Sequence, residues 1–131
     1  MNKIILEKAI KVRAILEKEH KNNKVWRENL CGACAVGSLL LKKELKEQGI
    51  NSLFVLGEHP DCLGSHCWIE VANSIVDITA SQLNIPLKIY IGPKTKEYKT
   101  KFWEDRAKEV VESWGEEQAP SSYPHLFPVG S

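Results

Sequence analysis

The stretch Ser65-His66-Cys67-Trp68-Ile69-Glu70-Val71, then the turn Ala72-Asn73-Ser74, then Ile75-Val76-Asp77-Ile78-Thr79, decides the fold. Two apolar runs flank a short turn, which predicts an antiparallel hairpin. Side chains alternate across a strand. His66, Trp68 and Glu70 therefore share one face, and Cys67, Ile69 and Val71 share the other. The second set reads as core. The first, mixing a histidine, an aromatic ring and an acid, suits the wall of a cleft. Asp77 stands in the partner run among apolar neighbours, where a carboxylate is costly unless paired. His66 is the partner it needs. The register tests that pairing. A turn centred on Ala72-Asn73 sets His66 opposite Thr79 and makes Asp77 its diagonal neighbour, about 7–8 Å away and within side-chain reach. A turn centred on Asn73-Ser74 sets His66 opposite Ser81 and leaves Asp77 too far along the strand.

Upstream, Ile5, Ala9, Val12 and Leu16 recur at helical spacing and predict an amphipathic helix over about Lys3 to His20. Trp26 to Ala33 reads as a loop ending in Cys31-Gly32-Ala33-Cys34. A second helix follows, from Cys34 to Gln48, with Leu39, Leu40, Leu41 and Leu45 on it and Gly49 as its stop. Its apolar content marks it as largely buried. Ser52 to Leu56 reads as a buried strand, Gly57 to Gly64 as a loop, and Leu87 to Ile91 as a further strand stopped by Gly92-Pro93. Trp103, Ala107, Val110 and Trp114 predict a last helix over Lys101 to Trp114. Residues 1–115 form one domain, and 116–131 a proline-containing tail that is extended, surface-packed or partly disordered. Helices first, then a meander of strands, then a helix argue for an α+β fold with an antiparallel sheet.

The 131 residues suffice for a core without staples. Net charge is +1, so nothing global points to nucleic acid. No apolar run approaches the ~20 residues of a membrane span, and no leader pattern is visible at Met1. The expected location is cytoplasmic. The four cysteines there are catalytic, metal-binding or buried thiols rather than disulfides.

A cysteine nucleophile needs a thiolate, a nearby base and donors for the oxyanion that forms on attack. Cys34 stands where a loop becomes a helix. The partial positive charge and free N–H groups of a helix start lower a thiol pKa and can hold an oxyanion. His66 is the candidate base and Asp77 the group that orients it. Zinc is the rival reading, since Cys31, Cys34, Cys62 and His66 offer two close pairs of ligands, with Cys67 as a spare. A redox role for Cys31-Gly32-Ala33-Cys34 is a third, with the drawback that no strand precedes the motif.

Cys34-Ala35-Val36-Gly37-Ser38, the leucine-rich helix ending at Gly49, His66-Cys67-Trp68-Ile69-Glu70 and Ile75-Val76-Asp77-Ile78-Thr79-Ala80-Ser81-Gln82 resemble the transglutaminase-like branch of the papain-like superfamily. The likeness covers about Leu30 to Leu83. It implies a nucleophile helix packed on a small antiparallel sheet, with Cys34 as nucleophile, His66 as general base and then acid, and Asp77 orienting the imidazole. It implies that Trp68 lines the cleft and that Gln82 is a buried brace. The oxyanion would fall to Asn29 or to the Cys34 backbone N–H. The implied reaction is acyl transfer through a thioester, of peptidase, amidase, deamidase or transglutaminase type, on a peptide or protein or on a small amide or thioester. No cofactor is called for. An inactive binding module of the same fold is the non-enzymatic alternative.

Overall fold

A five-stranded sheet in the order β4-β3-β2-β1-β5, every neighbour antiparallel, carries the molecule. The strands are β1 Leu53–Glu58, β2 Ser65–Val71, β3 Ser74–Asp77, β4 Tyr90–Pro93 and β5 Lys99–Trp103. The helices are α1 Lys3–His20, α2 Cys34–Glu47 and α3 Glu104–Glu112. The computed structural model describes residues 3–21, 33–62, 65–82, 88–114 and 118–127, without the side chain of Gln82. The architecture is thus α+β, as the order of elements implies. Among the described residues, no helix is long and apolar enough to cross a membrane.

The two faces of the sheet follow from strand alternation. Phe54, Leu56, Cys67, Ile69 and Val76 point to the helical side. There α2 lays Val36, Leu40, Leu41 and Leu45 against Ile69 and Val76, and α1 adds Ala9, Val12 and Leu16. Ala107 and Val111 of α3 cover Phe54, Leu56 and Cys67. Gly37 is the closest approach within this layer. A Cβ there would lie 2.6 Å from Leu16 Cδ1 and 3.0 Å from Ile78 Cδ1. Arg13, nearly buried on α1, donates from Nη1 to the carbonyls of Ile78 at 3.0 Å and Lys88 at 3.2 Å, and to Ser81 Oγ at 2.8 Å. It ties α1 to the chain just beyond Asp77.

The other face carries a second small core of Val55, Trp68, Ile75 and Tyr98. Trp68 is 0 % exposed on this face. Tyr98 stands edge-on to it at 5.0 Å between ring centroids, and Trp68 Nε1 donates to Glu70 Oε2 at 3.3 Å. Gly57 sits directly against that indole. A Cβ on it would fall 2.1 Å from the Lys99 carbonyl oxygen and 2.5 Å from the Trp68 ring, and the β1–β5 register shifts at this point.

Several boundaries differ from the sequence reading, among them β3, which runs over Ser74–Asp77 rather than Ile75 to Thr79. β1 runs on through Gly57 and Glu58, and β4 includes Gly92 and Pro93 rather than ending before them. Lys101 to Trp103 belong to β5 and not to the last helix. The helix starts at Glu104, whose φ of 49° breaks the strand and whose carboxylate accepts from Phe54 N–H at 3.1 Å and Lys42 Nζ at 3.2 Å. The alternation of Lys99, Lys101 and Trp103 with Thr100 and Phe102 suits an edge strand, but the helical period of Trp103, Ala107 and Val110 overrides it on paper. The described part of the tail is anchored. Ala119 and Tyr123 are buried, Tyr123 within the main core, and Ser121 N–H donates to Glu112 Oε1 at 3.1 Å.

Candidate active site

β2 and β3 pair with Ile69 opposite Val76, Glu70 opposite Ile75 and Val71 opposite Ser74. The turn is therefore centred on Ala72-Asn73, with Ala72 at φ 55°. This is the register that brings His66 and Asp77 together. Both are wholly buried, and His66 Nε2 lies 2.8 Å from Asp77 Oδ2. The rest of the carboxylate is also satisfied. Tyr98 donates its hydroxyl to Oδ2 at 3.1 Å, and Thr79 gives Oδ1 its backbone N–H at 3.0 Å and its hydroxyl at 3.3 Å. A buried carboxylate bonded this way has its oxygens satisfied and is held in position.

Cys34 is the first residue of α2. Ala33 before it provides no side-chain cap for the first-turn N–H groups. The Cys34 sulfur meets Cys67 on the helical face of β2 and His66 near the start of that strand. The hydrogen bond from the Cys67 thiol is the main influence holding the Cys34 pKa down. Burial opposes it, while hydrogen bonding and charge from His66 and the Cys67 backbone N–H reinforce it, and the result is about 5. Burial resists charge on His66, but the Asp77 carboxylate and its hydrogen bond, helped by Cys34 and Cys62, outweigh it and raise its pKa well above the ordinary value. Burial pushes the Cys67 thiol the other way, well above its ordinary range, and the Cys34 sulfur adds to this. These directions favour the charged form at Cys34 and His66 and the neutral form at Cys67.

His66 spends Nε2 on Asp77, and the buried Nδ1, the nitrogen Asp77 leaves free, makes no hydrogen bond of regular geometry though Cys34 and Cys62 interact with the ring. Cys34 is nearly buried, with 4 % of the residue exposed. A groove of about 720 Å³ has a lining that includes His59, Cys62, Ser65, Lys96 and Lys99 and none of Cys34, His66 and Asp77. Cys62 interacts with His66 from that side. His59 packs edge-on to Tyr98 at 4.9 Å, and its Nδ1 accepts the Asp61 N–H at 3.1 Å. Burial lowers its pKa against the pull of Asp61, and the charge on His66 adds to the lowering.

Cys34, His66 and Asp77 are thus brought together, with Cys62 and Cys67 close by. Trp68 packs behind the imidazole at 6.0 Å between centroids, where its closed position gives no contact surface for a substrate. Asn29, Cys31 and the Gln82 side chain lie outside the described residues. The zinc reading needs Cys31. Among the described residues, no group of three metal-ligating side chains forms a site. Tyr98 and His59 are the parts that sequence reading misses. Tyr98 reaches Asp77 from 21 positions away, and no local pattern marks it. Compared with models of protein families, with curated proteins and with solved structures, the chain matches none.

Proposed function

We propose that this chain is a cysteine-nucleophile acyl-transfer enzyme of the transglutaminase-like or papain-like kind. One observation carries the reading. The thiol at the uncapped start of a buried helix stands beside an imidazole whose far nitrogen is held by a fully bonded carboxylate. Such an arrangement supplies a thiolate at neutral pH without a separate activation step.

In this mechanism the Cys34 thiolate adds to the carbonyl carbon of an amide, ester or thioester. The α2 N–H groups receive the oxyanion. The imidazolium gives its Nδ1 proton to the leaving group as the C–N, C–O or C–S bond breaks, and a thioester remains on Cys34. Neutral His66 then takes a proton from water or an amine, and that nucleophile displaces the sulfur. Asp77 keeps the ring oriented and stabilises its charge throughout. The groove lined by His59, Cys62 and Ser65 is the place for the acyl donor.

The test is to trap the intermediate. The full chain is mixed with an activated acyl ester, quenched in acid and digested for peptide mass analysis. The expected adduct is a single acyl group on Cys34, absent in Cys34→Ser and slow to form in His66→Ala. Acylation spread over several cysteines at equal rates, or unchanged in His66→Ala, would refute the reading. Adding an amine to the trapped species then separates hydrolysis from transfer.

A further inference from the structure

Cys67 takes part in no bond-making step of the acyl-transfer scheme, yet it shares a buried cluster with the nucleophile. It projects from the middle of β2 into the helical layer, where it shares one buried cluster with Cys34, Ala35, Phe54 and Leu56. The two residues come from elements that pack on each other, Cys34 as the first residue of α2 and Cys67 from the strand under it. Both are free. Two free cysteines that share one buried cluster, carried by two elements packed face to face, are placed to pair with little movement of the fold. Cys62 differs in place. It belongs to the opposite face with Trp68 and Tyr98, and its Sγ is turned to the Ser65 carbonyl at 3.8 Å.

We propose that Cys34 and Cys67 form a peroxide-sensitive redox pair that closes reversibly to a Cys34–Cys67 disulfide. The inference goes beyond acyl transfer and does not depend on it. Exposure sets the order of events, because Cys34 retains 4 % and Cys67 none. The Cys34 thiolate attacks a hydroperoxide such as hydrogen peroxide, the O–O bond breaks, and Cys34 becomes a sulfenic acid as hydroxide leaves. The Cys67 sulfur then attacks the sulfenic sulfur. The S–S bond forms, the S–O bond breaks, and the departing hydroxide takes the Cys67 proton as water. Sulfur is oxidised by two electrons overall and the peroxide is reduced. A dithiol reverses the step by exchange. The bond blocks the nucleophile and spares it from sulfinic acid, which is not readily reversed.

The experiment titrates the full chain with hydrogen peroxide at neutral pH, blocks remaining thiols, and maps crosslinked peptides without reduction. The expected product joins the Cys34 and Cys67 peptides, lacks two hydrogens, and disappears on treatment with dithiothreitol. Cys62→Ala and Cys31→Ala keep it. Cys67→Ser and Cys67→Ala lose it completely, and their Cys34 sulfenic acid, trapped with dimedone, rises about ten-fold before further oxidation. A wild-type crosslink from Cys34 to Cys31 or Cys62 would overturn the proposal, as would a persistent Cys34 sulfenic acid with no crosslink. The wild-type map decides the matter even if a Cys67 variant folds poorly.

Discussion

The strongest prediction concerns the pH dependence of Cys34 reactivity when its neighbours are removed. In the wild type the sulfur titrates at about 5, against an ordinary value of 9.0. At pH 6 it is about nine-tenths thiolate, whereas a thiol returned to its ordinary value is about one-thousandth thiolate. Thiolate fraction is not the whole rate. Nucleophilicity rises with basicity, with a Brønsted slope of about 0.4–0.5 in disulfide exchange, so the unperturbed thiolate is intrinsically about fifty-fold faster. The two effects combine to a rate about twenty-fold lower at pH 6, a crossing near pH ~7, and a rate about twenty-fold higher at pH 9. Cys67 and His66 both hold the sulfur down, so His66→Ala moves part of the way and His66→Ala/Cys67→Ala approaches the limit. The assay follows a small disulfide reagent at the Cys34 peptide by mass spectrometry, from pH 4 to pH 10 (roughly the span between an acidic and an ordinary thiol). A wild-type inflection near that of an ordinary thiol, or profiles that never cross, would refute the reasoning.

Four further outcomes follow from the same contacts. Tyr98→Phe removes a buried donor from Asp77 and is expected to cost about 1–3 kcal/mol in denaturant unfolding, with no loss if the 3.1 Å bond is unimportant. Gly57→Ala drives a Cβ into the Lys99 carbonyl and should cost at least about 3 kcal/mol, more than Gly37→Ala, whose clashes are with movable side-chain ends; equal melting points would contradict this. Arg13→Lys keeps the charge but cannot reproduce the fan of bonds to Ile78, Ser81 and Lys88, and should lower stability by about 1–3 kcal/mol in thermal unfolding. In a Cys34→Ala background, Asp77 still favours charged His66, so the folded pKa stands above the unfolded one. The stabilising contribution of His66 is then complete below about pH 6.5 and is lost as pH rises through the folded value. The gap in unfolding free energy between that background and its His66→Asn derivative should shrink with rising pH, and a gap that widens would reverse the sign of the argument.

The short-range features of this protein were determined by its sequence. Helical spacing from Ile5 to Leu16 and the apolar run after Cys34 specify α1 and α2 to within a residue or so, because each pattern answers to one local period. Alternation in β2 assigned Cys67 and Ile69 to the helical layer. A carboxylate among apolar residues was enough to demand a partner for Asp77. Where two periods compete the sequence misleads, as at Lys101 to Trp103, since an edge strand and an amphipathic helix share the same exposed and buried residues there. Other features belong to the tertiary structure alone. The hairpin register was open on paper, and the positive φ of Ala72 together with burial on both faces selected one alignment. The closing of Trp68 under Tyr98, the second donor to Asp77 Oδ2, and the contact between Cys34 and Cys67 join segments far apart in the chain. No local pattern encodes such contacts. They exist because burying a sheet on both faces forces its polar groups to find partners wherever the fold brings them.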